Sequence, residues 1–356
     1  MASVNIMSSN GYRPLSRSVL WTTMGLSAVV SVGIFVILSV GGTTHSFNIV
    51  GAVVLAAVLN VVISYVLSRI IEGRRKAKDR LMTGLVTTAF LIALLPLISL
   101  VFTAVSNGLP RFDSTFFNAS MRNIVGEGGG GLHAIIGTLL ITGAATIISV
   151  PIGLMTAIYL VEYGRGRLAR AITFFVDVMT GIPSIVAGLF AFALFAIFFG
   201  PGIRFGIGGA VALSVLMIPV VVRSTEEMLK LVPNELREAS FALGVPKWLT
   251  IVKVVLPTSI AGIITGVMLS ISRIIGETAP LLIIAGLSTS MNYDLFSDRM
   301  ATLPVFVYTQ YANQGSDAQA YLDRAWTGAL VLILIVMVLN LGARLISRFL
   351  SPKGLR

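Results

Sequence analysis

Eight long apolar runs alternate with polar stretches along the chain. They cover residues 19–40, 48–71, 81–106, 134–161, 171–199, 207–222, 258–287 and 326–345. Most exceed the roughly 20 residues that span a bilayer core at about 1.5 Å rise per residue. They lack the alternation of a membrane β-barrel strand, so they read as helices. Pro96, Pro151, Gly181, Pro183 and Gly188 interrupt individual runs, and Arg273, Glu277 and Pro280 lie inside the seventh. Between the runs lie a charge cluster at 72–80 and a loop at 107–133 whose glycines, 128–131, predict flexibility. A short basic turn at 162–170, a polar island at 223–257 and a polar loop at 288–325 follow. Within the island, residues 235–257 read as two short helices with a hinge at Gly244, closed by Leu256 and Pro257.

Composition agrees with a membrane chain. Hydrophobic residues make up 56% and charged residues 12%, with mean hydropathy +0.93; a soluble domain carries about a quarter charged residues. The expectation is an all-α integral membrane protein of about eight spans. The polar N-terminal tail followed by a long run reads as an anchor rather than a removed signal peptide. There are no cysteines, which excludes disulfides and thiolate chemistry. His45 and His133 sit near predicted membrane exits and read as interfacial residues; two histidines do not make a metal site.

The net charge of +11 is explained by where the charges fall. Twenty basic residues lie on the side of the termini and the island, five lie opposite, and Arg273 lies within a run. The positive-inside rule therefore puts both termini and the island in the cytoplasm. Nucleic-acid binding is not needed to explain the charge. No GxxxxGK[ST] phosphate loop, paired catalytic carboxylates or nucleophile elbow is present, and no cofactor is implied. If ATP drives this protein, another chain binds it.

The island resembles the EAA signature of bacterial ABC importer permeases. It carries Glu238-Ala239-Ser240, three residues, Gly244, nine residues, Val254, one residue and Leu256-Pro257. Ser240 replaces the usual second alanine and Val254 the usual isoleucine. The resemblance implies coupling helices that dock into a groove on an ATPase subunit, within a type I importer permease core. Glu238 offers a charge to a basic partner, Ala239 and Ser240 permit close approach, and Trp248 is an anchor of the hot-spot type. The stretches 177–188 and 273–281 look like those of the permeases of the high-affinity phosphate importer, of the PstA type more than the PstC type.

This resemblance covers roughly residues 77–356. It implies a domain order of an extension with two spans at 1–76, a third span and outer loop at 77–133, a permease core at 134–347 with a coupling loop at 223–257, and a tail at 348–356. The extension reads as a packing or assembly hairpin. Implied partners are an ATPase dimer, a PstC-type second permease, a phosphate-binding protein and the lipid bilayer, in the bacterial inner membrane. An importer of another oxyanion or small solute remains the alternative; a membrane enzyme or sensor lacks support in the motifs.

Arg273 and Glu277 are the sharpest pair. A charge at mid-span costs on the order of 3 kcal/mol on the insertion scale, so such residues mark pathways. Four apart, they are expected on one helical face. One reading has Arg273 coordinate the translocating anion while Glu277 holds it; the other is a permanent interhelical or intrahelical ion pair that fixes assembly with the partner permease. Thr278, Thr180 and Ser184 are counted with the pathway as hydroxyl donors, although helix kinking alone explains the Gly181–Pro183 break equally well. Asp177 is expected to pair structurally with Arg170 or Arg223.

Overall fold

The computed structural model of the protein describes residues 17–40, 49–315 and 317–350. Among them are fourteen α-helices and no strand. The chain divides into two compact units, Met1–Phe102 and Thr103–Arg356. Seven helices are long and apolar enough to cross a membrane, or eight if one bent pair counts as a span.

In the first unit, α1 (Arg17–Val40) packs against α2 (Ile49–Ile71), with the Ser31 hydroxyl donating to the Ala52 carbonyl at 2.5 Å. α3 (Arg74–Gly108) starts inside the charge cluster, seven residues before the apolar run, because Arg, Lys and Ala are good helix formers. The turn between α2 and α3 is held by Glu72, whose buried carboxylate accepts from Ser68 at 2.7 Å and from Arg80 at 2.6 and 2.9 Å. His45 lies outside the described residues.

In the second unit, α4 (Ser114–Asn118) is a single turn capped by Asp113. The long helix α5 (Leu132–Ile158) ends in a wide π turn, Tyr159–Tyr163. The fifth run is two helices, α6 (Gly166–Thr180) and α7 (Ser184–Phe199), bent 111° apart. Pro183 has no N–H to give and restricts Ile182 before it, so the helix cannot pass through. α8 (Gly206–Lys230) runs eight residues beyond its apolar run. Then come α9 (Asn234–Ala242), α10 (Lys247–Thr250), a π turn Ile251–Val255, α11 (Leu256–Ile274), α12 (Ala279–Ile284), α13 (Leu303–Ala312) and α14 (Ala318–Leu350).

Three expectations change here. Leu256-Pro257 does not close the island, since one apolar helical segment runs over Lys247–Ile274. The Pro257 ring would strike the carbonyl four residues back, and the wide turn before it opens the room. The glycine loop is pinned rather than free. Arg324, buried on α14, donates to the Gly126 and Gly128 carbonyls at 2.6 and 3.1 Å and to Gln310 at 2.9 Å. Arg111 donates to the Gly129 carbonyl at 2.9 Å. His133 is likewise buried, edge-on to Phe306 with ring centroids 5.5 Å apart, and is not an interfacial residue.

The core forms where α5, α8, α11 and α12 meet. Ile141, Ala145, Leu213, Met217, Val221, Ile274, Leu281 and Ala285 pack together there. α5 and α8 run parallel, with Gly153 against Val221 and Ile141 against Gly209. α8 and α11 run antiparallel, with Met228 against Gly262 and Ser224 against Gly266. Without a hydrophobic drive between lipid-immersed helices, such small residues permit the close approach on which packing depends. Outward faces expose Phe174, Phe190, Ile147 and Ile197, as lipid contact requires.

At Gly188 a Cβ would lie 2.5 Å from the Pro280 Cα, a backbone atom that cannot rotate away. Gly188→Ala should therefore destabilise the detergent-solubilised protein by about 1–3 kcal/mol, read as a fall in unfolding temperature. Gly143→Ala, with no atom within 4 Å, should leave it unchanged.

Candidate functional site

The island is built around a glycine-terminated helix. The first turn of α9 carries Glu235, favourably placed for the helix dipole. Gly244 takes φ +77°, the Val245 N–H donates to the Ser240 carbonyl at 3.2 Å and the Gly244 N–H to the Phe241 carbonyl at 2.9 Å. These two bonds end α9 and reverse the chain. Across the reversal the Ser240 and Thr250 hydroxyls meet at 2.8 Å in a buried contact. The serine that departs from the EAA pattern thus ties the two halves of the island together.

Arg237 fastens the island to the bundle. It donates to Glu162 at 2.9 Å, to the Leu229 carbonyl at 2.9 Å and to the Val232 carbonyl at 2.6 Å. One guanidinium thereby satisfies the carbonyl end of α8 and pairs with the last turn after α5. The pair is nearly buried, at 13% and 6% side-chain exposure, where losing one partner is costly. Lys247 donates to the Glu162 carbonyl and lies 4.9 Å from the Tyr163 ring centre. Nothing in the sequence joins positions 75 and 85 residues apart, and both contacts escape a reading of local pattern. The opposite face is open: Leu243 is 83% and Trp248 61% exposed, alongside exposed Glu235, Glu238, Ala239 and Phe241. An exposed apolar set rimmed by carboxylates has the make-up of surfaces that take a protein partner.

The second locus is the break in the seventh run. α11 stops at Ile274, and α12 begins at Ala279. Pro280 in the first turn of α12 would collide with the Gly276 carbonyl if the helix continued. Arg273 and Glu277 therefore do not share a helical face. The Glu277 N–H turns back to the Ile274 carbonyl at 3.1 Å. Neither side chain forms an ion pair or hydrogen bond among the described residues, so the expected intrahelical pair is absent. Arg273 is exposed, and Glu277 and Thr278 are half-buried.

The depth of the break follows from its neighbour. Beyond the break, Leu281 faces Gly209 and Ile284 faces Gly208, so α12 continues the antiparallel register that α11 keeps with α8. Arg273 is then level with Met217, roughly 16 Å from the Gly206 end of α8 at 1.5 Å per residue. That is about half of a 30 Å hydrocarbon core. Gly188, one turn along α7 from Ser184, touches Pro280. The breaks at 181–183 and 275–278 thus adjoin, bringing Ser184 to the neighbourhood of Thr278. Thr180 lies on the far side of the 111° bend, and its hydroxyl donates to the Val176 carbonyl at 2.8 Å. Of the two partners expected for Asp177, Arg223 is the one it meets; Arg223 also bonds Glu226, which binds Lys230.

Residues 149–354, which hold both loci, match the family described as binding-protein-dependent transport system inner membrane component. The phosphate transport system permease protein PstA 1 of Mycobacterium tuberculosis is 46% identical over 286 residues, 80% of this chain and 91% of the relative. PstA of Mycobacterium leprae is 47% identical over 81% of this chain and 94% of its own length. The chain belongs to the PstA family of transport permeases. PstA of Pasteurella multocida, 41% identical over 76% of this chain, extends that relation beyond the mycobacteria. Among solved structures, a permease chain of a bacterial alginate ABC transporter superposes with TM-score 0.55 over 78% of this chain and 97% of its own, at 15% identity. A chain of the inward facing MetNI methionine ABC transporter gives 0.52 over 62% of this chain and 96% of its own, at 21% identity. These likenesses show the fold, that of an ABC importer permease.

The buried hydroxyl pair sets a measurable coupling. Ser240→Ala and Thr250→Ala should each cost about 1 kcal/mol of stability, and the double variant little more than either. Additive losses would mean that the two hydroxyls do not act together.

Proposed function

We propose that this permease carries inorganic phosphate inward across the bacterial plasma membrane, driven by ATP hydrolysis on partner subunits. The observation that carries the reading is the position of Arg273. Its guanidinium, unpaired among the described residues, stands at a helix break, level with the middle of α8, on the helical segment that begins in the island. Irregular backbone at such depth is tolerated where protein or a water-lined path surrounds it. Arginine offers a planar donor fork suited to phosphate. The relatives named as phosphate transport permeases support this substrate over other oxyanions.

The cycle runs through one helix. A phosphate-binding protein delivers the anion at the loops 107–133 and 288–325. The two ATPase subunits close on ATP, one of them holding the exposed face of the island, with Glu238, Ala239, Gly244 and Trp248, in its groove. Their closure moves the island, and with it α11 and Arg273, against a second permease of the PstC type. Both termini lie in the cytoplasm. Glu277, freed from an intrahelical pair, faces the same break and limits how long the anion dwells beside Arg273. The two N-terminal spans form an extension outside this machinery.

Uptake of radiolabelled phosphate by the reconstituted complex checks the proposal. Arg273→Gln should abolish uptake with the complex still assembled, and Arg273→Lys should restore only part of it, lacking the fork. Unlabelled phosphate should compete far better than sulfate or molybdate. Normal uptake by Arg273→Gln would remove Arg273 from the pathway, and stronger competition by sulfate would change the substrate.

A further inference from the structure

Between the island and the bundle lies a cavity of about 410 Å³ that shares only Phe241 with the island's exposed face. Its wall includes Arg165, Lys230, Arg237 and Lys247, with Glu162 as the one carboxylate and Phe241 as an apolar side. These charges do not balance. Glu162 is nearly buried and already engaged by Arg237. Lys230 reaches out to Glu226 at 2.7 Å, on a side chain 61% exposed. Lys247 is satisfied only by a carbonyl and a ring face. The side chain of Arg165 is exposed and makes no hydrogen bond or ion pair among the described residues.

The surroundings indicate what would balance them. Arg165 immediately precedes α6, which turns 111° from α7. α6 exposes Leu168, Phe174 and Phe175 and carries Arg167 and Arg170 near its start. Arg167, Arg170 and Phe174 share one side of α6 while Leu168 and Phe175 share another, so arginine and aromatic side chains are exposed together, as in a segment at the headgroup layer of a membrane. The cavity therefore opens at the depth where lipid phosphates and water meet. Clustered Arg and Lys around a pocket of this kind suit a phosphate group through charge-assisted hydrogen bonds.

We propose that this cavity is a regulatory anion site that takes a phosphate group, supplied by an anionic lipid headgroup or by free inorganic phosphate on the island side. The occupant bridges Arg165 after α5, Lys230 at the end of α8 and Lys247 at the start of the long helix. It fixes the angle at which the island stands on the bundle, and so sets how readily ATPase motion reaches α11. This holds whichever solute the permease carries.

The test is hydrogen–deuterium exchange on the full chain in nanodiscs. One arm uses zwitterionic lipid titrated with inorganic phosphate; the other adds phosphatidylglycerol without free phosphate. Either ligand should slow exchange across 159–166 and 234–250. Arg165→Gln, which removes no existing bond, should raise the half-saturating concentration about tenfold, the loss of one charge-assisted hydrogen bond. Arg167→Gln, outside the cavity wall, should leave it unchanged. Protection by lipid alone identifies the headgroup as the source, and protection by phosphate alone identifies the free anion; both support the site. Absence of protection in both arms overturns it. So does an equal effect of the two variants, which would mean diffuse screening. Protection that appears only when ATPase subunits are added would make the cavity a protein socket and also overturn the proposal.

Discussion

The antiparallel seam between α8 and the broken span α11–α12 is the contact on which the rest of the bundle depends. Gly262 and Gly266 let Met228 and Ser224 come close on one side of the break, and Gly208 and Gly209 receive Ile284 and Leu281 on the other. Register is kept across four residues that are not part of either helix. A break in mid-bundle leaves backbone groups short of partners, and it persists only because packing on both sides holds the two helical pieces in line. Ile274 and Leu281, flanking the break, sit in the same core as Leu213 and Met217. The seam therefore fixes where Arg273 stands, and the adjoining contact of Gly188 with Pro280 brings the second break beside the first.

The island inherits its rigidity from the same logic. Gly244 reverses the chain, Ser240 and Thr250 lock the reversal, and Arg237 bolts it to the ends of α5 and α8. A loosely tethered loop would absorb a push from a partner. A helix pair held by a buried ion pair and a buried hydroxyl contact passes the push into Lys247–Ile274. In the proposed cycle, mechanical input and substrate charge occupy opposite ends of one segment.

Much of this was legible in the sequence because apolar run length is set by the bilayer and by helix rise. The spans, the polar island and the Gly244 hinge follow from local pattern, as does Arg223 as one of two candidate partners for Asp177. Three features escaped it. Proline in a membrane helix reads equally as a kink, a break or a widened turn, and Pro183, Pro280 and Pro257 go with a sharp bend, a break and a π turn in that order. The pairing of Arg237 with Glu162 joins residues far apart in the chain, which local spacing does not encode. A run of glycines suggests mobility, yet at 126–129 the carbonyls it bares are acceptors for Arg324 and Arg111, which hold the loop in place.

If island motion reaches Arg273 through a continuous helix, softening that helix uncouples transport from ATP hydrolysis. The most direct measurement is the number of phosphate ions transported per ATP hydrolysed by the reconstituted complex carrying Val252→Gly and Lys253→Gly. Both positions are exposed, so the change softens the helix by about 1 kcal/mol per glycine without emptying the core. ATP hydrolysis should continue while the ratio falls toward zero. An unchanged ratio would contradict it.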